Sequence, residues 1–116
     1  MTKKIAWGIL GTGRIARSFA TALRYVDDAE LIAVGSRQQA TATDFASEFE
    51  IANAYSSYHE VAEDKNIDVV YIATPHSLHK DNVLMCLEAN KAVLCEKPFT
   101  INAAEAETII RLARVA

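Results

Sequence analysis

Gly11-Thr12-Gly13-Arg14-Ile15-Ala16 spells G-x-G-x-x-A. The first glycine permits a tight turn, the second lets backbone come close to a pyrophosphate, and the small third residue lets a helix pack on a strand. At the start of a helix, free N–H groups and the helix dipole then face the anion. The string alone is common. An apolar run directly before it and a helical pattern directly after it tie it to dinucleotide binding. The plain alternative is a glycine turn without a ligand.

A second group of residues should read the adenosine ribose. NAD sites usually place Asp or Glu after the second strand, where it accepts from the 2′-OH. This chain has Gly35-Ser36-Arg37 there instead. A carboxylate would repel a 2′-phosphate, whereas Ser36 can donate a hydrogen bond to it and Arg37 can pair with its charge. NADP is therefore the expected cofactor. An Arg37 that merely covers the adenine ring would suit NAD as well.

Two later stretches complete the candidate site: Thr74-Pro75-His76-Ser77-Leu78-His79 and Glu96-Lys97-Pro98. Thr74 and His76 can hydrogen-bond a ribose or a nicotinamide, Pro75 holds the turn open, and His79 is a further candidate for cofactor contact. Histidines at such positions also serve as helix-entry or surface residues. Lys97 is the candidate catalyst. A lysine at the end of a buried parallel strand is poorly solvated, and Pro98 pushes it into an extended conformation. Desolvation and a nearby oxidised nicotinamide lower its pKa toward neutrality. It can then take or return a hydroxyl proton while hydride moves to or from the nicotinamide. Glu96 can accept from the nicotinamide ribose. The plain alternative for Lys97 is a solvated Lys-Pro turn. Cys86 and Cys95 match no metal spacing, and no metal site is expected. Tyr71 and Cys95 should point into helix-covered faces, with Cys86 a small buried hydrophobe.

The elements that must position these residues alternate strand with helix. Near-continuous apolar runs at residues 5–10 (IAWGIL), 31–34 (LIAV), 68–73 (DVVYIA) and 92–95 (AVLC), with a weaker one at 52–55, suit parallel strands covered on both faces. Helical spacing links Ile15, Phe19, Ala22 and Leu23, and, with one slip, Leu78, Val83, Leu84 and Leu87. Phe45, Ala46 and Phe49 mark another helix. Asn102 with Glu105 reads as a capping box opening a last one. This order implies an α/β fold, a three-layer doubly wound parallel sheet of Rossmann type. The glycine loop, the Thr74 loop and the Glu96-Lys97 loop then lie at the carboxyl ends of strands one, four and five, and line one crevice.

Composition excludes other classes. The 116 residues are 51% hydrophobic and 23% charged, with four glycines and two prolines, which speaks against disorder and against a small disulfide scaffold. A net charge of −3 with no basic segment argues against nucleic acid or anionic membrane as a partner. No apolar run approaches the roughly 20 residues of a membrane span. The amino-terminal region, interrupted at Gly8, Gly11 and Gly13, is a poor signal peptide. A cytoplasmic, soluble, single-domain chain is expected.

The strings WGILGTGRIA, VGSR, IDVVYIATPHSLH and AVLCEKP together resemble the glucose–fructose oxidoreductase / inositol dehydrogenase / MocA superfamily, and most of all its dihydrodiol dehydrogenase and glucose–fructose oxidoreductase branch. The E-K-P string following T-P-x-x-x-H is more specific than the glycine loop. The resemblance implies a pyrophosphate loop at Gly11, Thr12, Gly13, Arg14, Ile15 and Ala16, and an NADP-type pattern at Ser36 and Arg37. It places Thr74, Pro75, His76 and His79 beside the nicotinamide, Lys97 as the active-site lysine and Glu96 on the ribose. It implies sugars, polyols or cyclic diols as substrates and a homo-oligomer. Family members are longer, with a sixth strand and a mostly β carboxy-terminal domain that forms much of the substrate pocket. Residues 1–116 are accordingly expected to be the NAD(P)-binding domain of a longer two-domain oxidoreductase, without turnover of their own. Without a sixth strand, residues 92–95 would form an apolar edge that invites self-association. A stand-alone dinucleotide sensor or partner-dependent module is the second reading, and a ligand-free association module the third.

Overall fold

A computed structural model of the chain describes residues 4–95. Strand β1 (Ile5–Leu10) leads into helix α1 (Arg14–Leu23), followed by β2 (Ala29–Gly35), α2 (Gln39–Phe49), β3 (Asn53–Tyr55), α3 (Tyr58–Glu63) and β4 (Val69–Ile72). A single 3-10 turn at His76–Leu78 then enters α4 (His79–Glu88), and β5 (Ala92–Cys95) closes the described series. Every strand pairing is parallel, and the sheet order is β3-β2-β1-β4-β5. The chain thus starts in the middle of its sheet, builds outward to β3, then returns to build the other side. Glu96, Lys97 and the helix start expected at Asn102 lie outside the described residues.

The runs are apolar throughout because alternate residues enter two separate cores. Ile9, Val34 and Tyr71 face one side, where they meet Ala16 and Ala20 of α1 and Phe45 and Ala46 of α2. Leu10, Ala33, Val70 and Ile72 face the other, against Val61 of α3 and Val83 and Cys86 of α4. Helix, sheet, helix is the resulting layering. Tyr71 is buried and stacks on Phe19 of α1 with ring centroids 3.8 Å apart. Burial pushes the Cys86 thiol up to about 12, so it behaves as the small hydrophobe its position suggested.

Two helices turn differently from what apolar spacing predicts. In α1 the buried stripe is Ala16, Ala20 and Leu23, with Phe19 only partly buried, while Ile15 is half exposed and Ala22 exposed. Alanines at the contact let the helix axis lie close to the sheet. In α4 the buried residues are His79, Asn82, Val83 and Cys86, and Leu84 faces outward. These follow the i, i+3, i+4, i+7 rule without a slip. The apparent slip arose because two inward positions are polar. Among the described residues, no helix is long and apolar enough to cross a membrane.

Candidate functional site: a cleft at the carboxyl ends of the strands

Backbone hydrogen bonds tie the ends of the central strands together. Gly11 N–H donates to the Gly35 carbonyl at 2.8 Å, and Ala73 N–H donates to the Leu10 carbonyl at 2.9 Å. Gly11 has φ +102°, and a Cβ there would come within 2.8 Å of the Ala73 carbonyl oxygen. Only glycine satisfies both demands. The loops after β1, β2 and β4 consequently meet around a cleft of about 1050 Å³.

Gly13 begins α1 and performs the opposite service. It caps the helix without any side-chain hydrogen bond, and the first turn of α1 holds no acidic residue. By contrast, α3 opens on Ser57, whose hydroxyl accepts from Glu60 N–H at 3.2 Å. The first N–H groups of α1 are thus left to an outside acceptor. A Cβ on Gly13 would meet no atom within 4 Å, so it would project into open cleft rather than into protein. That is the cradle a pyrophosphate needs. Thr12, Arg14 and Ile15 line the same wall. The half-exposed Ile15 that the core does not take up therefore borders the cleft.

The second wall comes from β2. Ser36 is buried at 8% exposure, and Arg37 beside it is exposed. Ser36 Oγ is hydrogen-bonded to Thr41 Oγ1 in the first turn of α2. Thr41 in turn donates to the Gln38 carbonyl at 3.0 Å. The described lining includes Arg14 and Arg37 and contains no Asp or Glu, a balance suited to an anionic ligand.

The third wall follows β4. Thr74, 5% exposed, donates its hydroxyl proton to Asn82 Oδ1 at 2.5 Å. Its carbonyl accepts from His79 Nε2 at 2.7 Å, which places a proton on that nitrogen. His79 and Asn82 thus hold the Thr74 loop from α4, while Pro75 lies at the rim and its carbonyl accepts from Leu78 N–H at 2.8 Å. His76 lies in the 3-10 turn of the same loop. The structure therefore brings together Gly11, Thr12, Gly13, Arg14, Ile15, Ser36, Arg37, Thr74, Pro75 and His79 around one cleft. Glu96 and Lys97 fall beyond the described end of β5.

Sequence reasoning missed Thr41 and Tyr58, which also line the cleft, and Asn82, which holds Thr74. Thr41 and Asn82 carried a legible signal: each sits in the opening turn of a helix that follows a candidate strand-end loop. Tyr58 carried none, because its place depends on how the short α3 docks. Among the described residues, no group of three His, Cys, Asp or Glu is placed to hold a metal ion.

Comparison with known proteins agrees with this geometry. The model of a family described as an oxidoreductase family with an NAD-binding Rossmann fold matches residues 5–116. Trans-1,2-dihydrobenzene-1,2-diol dehydrogenase from Mus musculus is 47% identical over 112 residues, covering 95% of this chain and 34% of that protein. The Sus scrofa enzyme of the same name is 46% identical, covering 95% and 33%. A 3-ketoreductase from Actinomadura kijaniata, crystallised with TDP-benzene and NADP, superposes with a TM-score of 0.89 at 32% identity, covering 97% of this chain and 36% of that one. Biliverdin reductase from Synechocystis, crystallised with biliverdin and NADP+, superposes at 0.81 with 30% identity, covering 96% and 35%. The chain spans about a third of the length of the curated relatives it matches.

Proposed function

We propose, of a chain that belongs to the Gfo/Idh/MocA oxidoreductase family with its NAD-binding Rossmann fold, that the cleft binds NADP and that residues 1–116 are the cofactor domain of a longer dehydrogenase. One observation carries the choice of ligand. The cleft pairs an uncapped helix start at Gly13 with arginines and no described carboxylate. The pyrophosphate would lie over Gly11, Thr12 and Gly13, with Arg14 and Ile15 along the same wall. Arg37 would meet the 2′-phosphate beside Ser36, and Thr74, Pro75, His76 and His79 would border the nicotinamide. When bound, the nicotinamide supplies or receives the hydride.

The chain's own residues would do the rest. The glycine loop binds, Arg37 and Ser36 distinguish the ribose, and the Thr74 loop orients the ring. Lys97 moves the hydroxyl proton of the substrate, and Glu96 accepts from the nicotinamide ribose. Relatives named for a dihydrodiol and for a 3-keto substrate support a CH–OH/carbonyl couple on a cyclic diol, a polyol or a sugar. A cytoplasmic location and a homo-oligomeric assembly belong to the same reading.

Titration of the purified chain with NADP+ and NAD+ tests it. Saturable binding is expected, with Arg37→Ala weakening NADP+ at least tenfold and NAD+ little. Gly13→Ala should leave stability nearly unchanged and weaken both nucleotides, because its methyl group enters only the cleft. Failure of both nucleotides to bind the wild-type chain would reject the proposal. In the longer protein, Lys97→Met should abolish turnover and preserve nucleotide affinity.

A further inference from the structure

Helix α1 turns a cationic face to solvent. Arg14, Arg17 and Arg24 recur along one side of it, about 15 Å from first to last, and α1 itself contains no carboxylate. With Glu48 and Phe49 of α2 they border a groove of about 640 Å³. Phe49 gives this groove an aromatic wall, with the Arg17 and Arg24 guanidiniums 5.8 and 5.2 Å from its ring centroid. Glu48 is paired with Arg17. Among the described lining residues it is the one carboxylate against three arginines, in a chain whose net charge is −3.

The turn that follows α1 has the complementary character. Tyr25 is 84% exposed, and Val26 and Ile5 near it are exposed as well. Ile5 N–H donates to the Asp28 carbonyl at 2.7 Å, which ties this turn to the start of β1. Asp27 and Asp28 are exposed, and among the described residues neither carboxylate forms an ion pair. An amphipathic aromatic standing in solvent beside charged neighbours is the residue type that anchors interfaces.

We infer that this turn docks in the α1–α2 groove of a second copy of the chain, forming a two-fold pair. Turn and groove adjoin at Arg24, so one two-fold axis past the end of α1 seats both turns at once. Tyr25 brings its ring to the wall of Phe49 and the two guanidiniums. Asp27 and Asp28 then face the groove's surplus arginines. The pairing gives the homo-oligomer of the reading above a surface, and it does not depend on nucleotide binding. It is also separate from the β5 edge, which lies two strands from β1 in the sheet.

Sedimentation of the Leu94→Lys chain, in which pairing through the β5 edge is removed, tests the inference. A dimer is expected as concentration rises, and Tyr25→Ala should weaken it about tenfold or more. The exposure of Tyr25 lets the fold tolerate this change, which an unchanged melting profile checks. Two charge-reversed chains give a sharper readout. One carries Asp27→Lys and Asp28→Lys, the other Arg17→Glu and Arg24→Glu. Each alone sets like charges across both contacts and should stay monomeric. Mixed in equal amounts, they oppose introduced lysines to introduced glutamates and native aspartates to native arginines, so the dimer should return. A Leu94→Lys chain that stays monomeric overturns the pairing. So does an undiminished dimer in Tyr25→Ala, or a mixture no more dimeric than its parts. Nucleotide titration reads the cleft separately, so a chain that binds NADP+ and stays monomeric overturns the pairing alone.

Discussion

Thr74 donates to Asn82 and accepts from His79, so its buried hydroxyl and carbonyl are both engaged by α4. Asn82→Ala removes the acceptor and leaves the Thr74 hydroxyl buried without that partner. The loss should be about 1–3 kcal/mol in urea unfolding, and pairing Asn82→Ala with Thr74→Val should recover part of it. Cys86 makes a different kind of prediction. Its thiol ionises near 9.0 when ordinary and at about 12 in the fold, because burial disfavours the thiolate. Between those values the unfolded chain has released a proton that the folded chain retains. Stability contributed by this group is therefore full below pH 9 and lost as pH rises toward 12. The slope is at most about 1.4 kcal/mol per pH unit, and Cys86→Ala should flatten it in pH-dependent unfolding measurements. Tyr55 acts in the same direction, since its hydrogen bond to the Asp64 carboxylate raises the phenol above its usual 10.0.

Helices here are oriented by fit as much as by greasiness. Ala16 and Ala20 bring α1 close to the sheet, and Phe19 reaches past them to stack on Tyr71. This places the first turn of α1, with its free N–H groups, directly behind Gly11. Ala20→Leu should overfill the contact and cost about 1–3 kcal/mol. It should also weaken nucleotide binding by displacing the α1 start, which a binding titration on the folded variant would show. In α4 the buried stripe runs His79, Asn82, Val83, Cys86: its upper half serves the site and its lower half the core. One helix face thus links packing to function, and an apolar-only reading of it selects Leu84, which faces outward.

Taken as a molecule, the described residues place β1 at the centre and the cleft where the two directions of sheet growth diverge. A ligand bound there contacts loops from β1, β2 and β4 at once, so binding should stabilise the whole domain. At a concentration of 100 times its dissociation constant, NADP+ should add about 2.7 kcal/mol, read as a rise in melting temperature of roughly 10 °C or more. Among the described residues β5 is the outermost strand on its side, with Leu94 46% exposed. Strand edges of this kind pair with other chains. The 116-residue chain should therefore show concentration-dependent mass in sedimentation, and Leu94→Lys should reduce it.

Residues 5–10 and 92–95 are legible as strands because a parallel strand buried on both faces must be apolar along its length, a demand each short segment satisfies alone. The glycine loop is legible for a similar reason: the positive φ at Gly11 constrains residue type locally. From these, the α/β class with its parallel sheet and the meeting of the glycine and Thr74 loops follow from the chain itself. Tertiary structure alone decided that α1 packs through Ala16 and Ala20, that α4 turns Asn82 inward, that Tyr58 reaches the cleft, and that the Ser36 hydroxyl meets that of Thr41. Each depends on which group another element sets opposite it. A hydrogen bond's direction and a helix's contact face are properties of pairs, and no single segment specifies its partner.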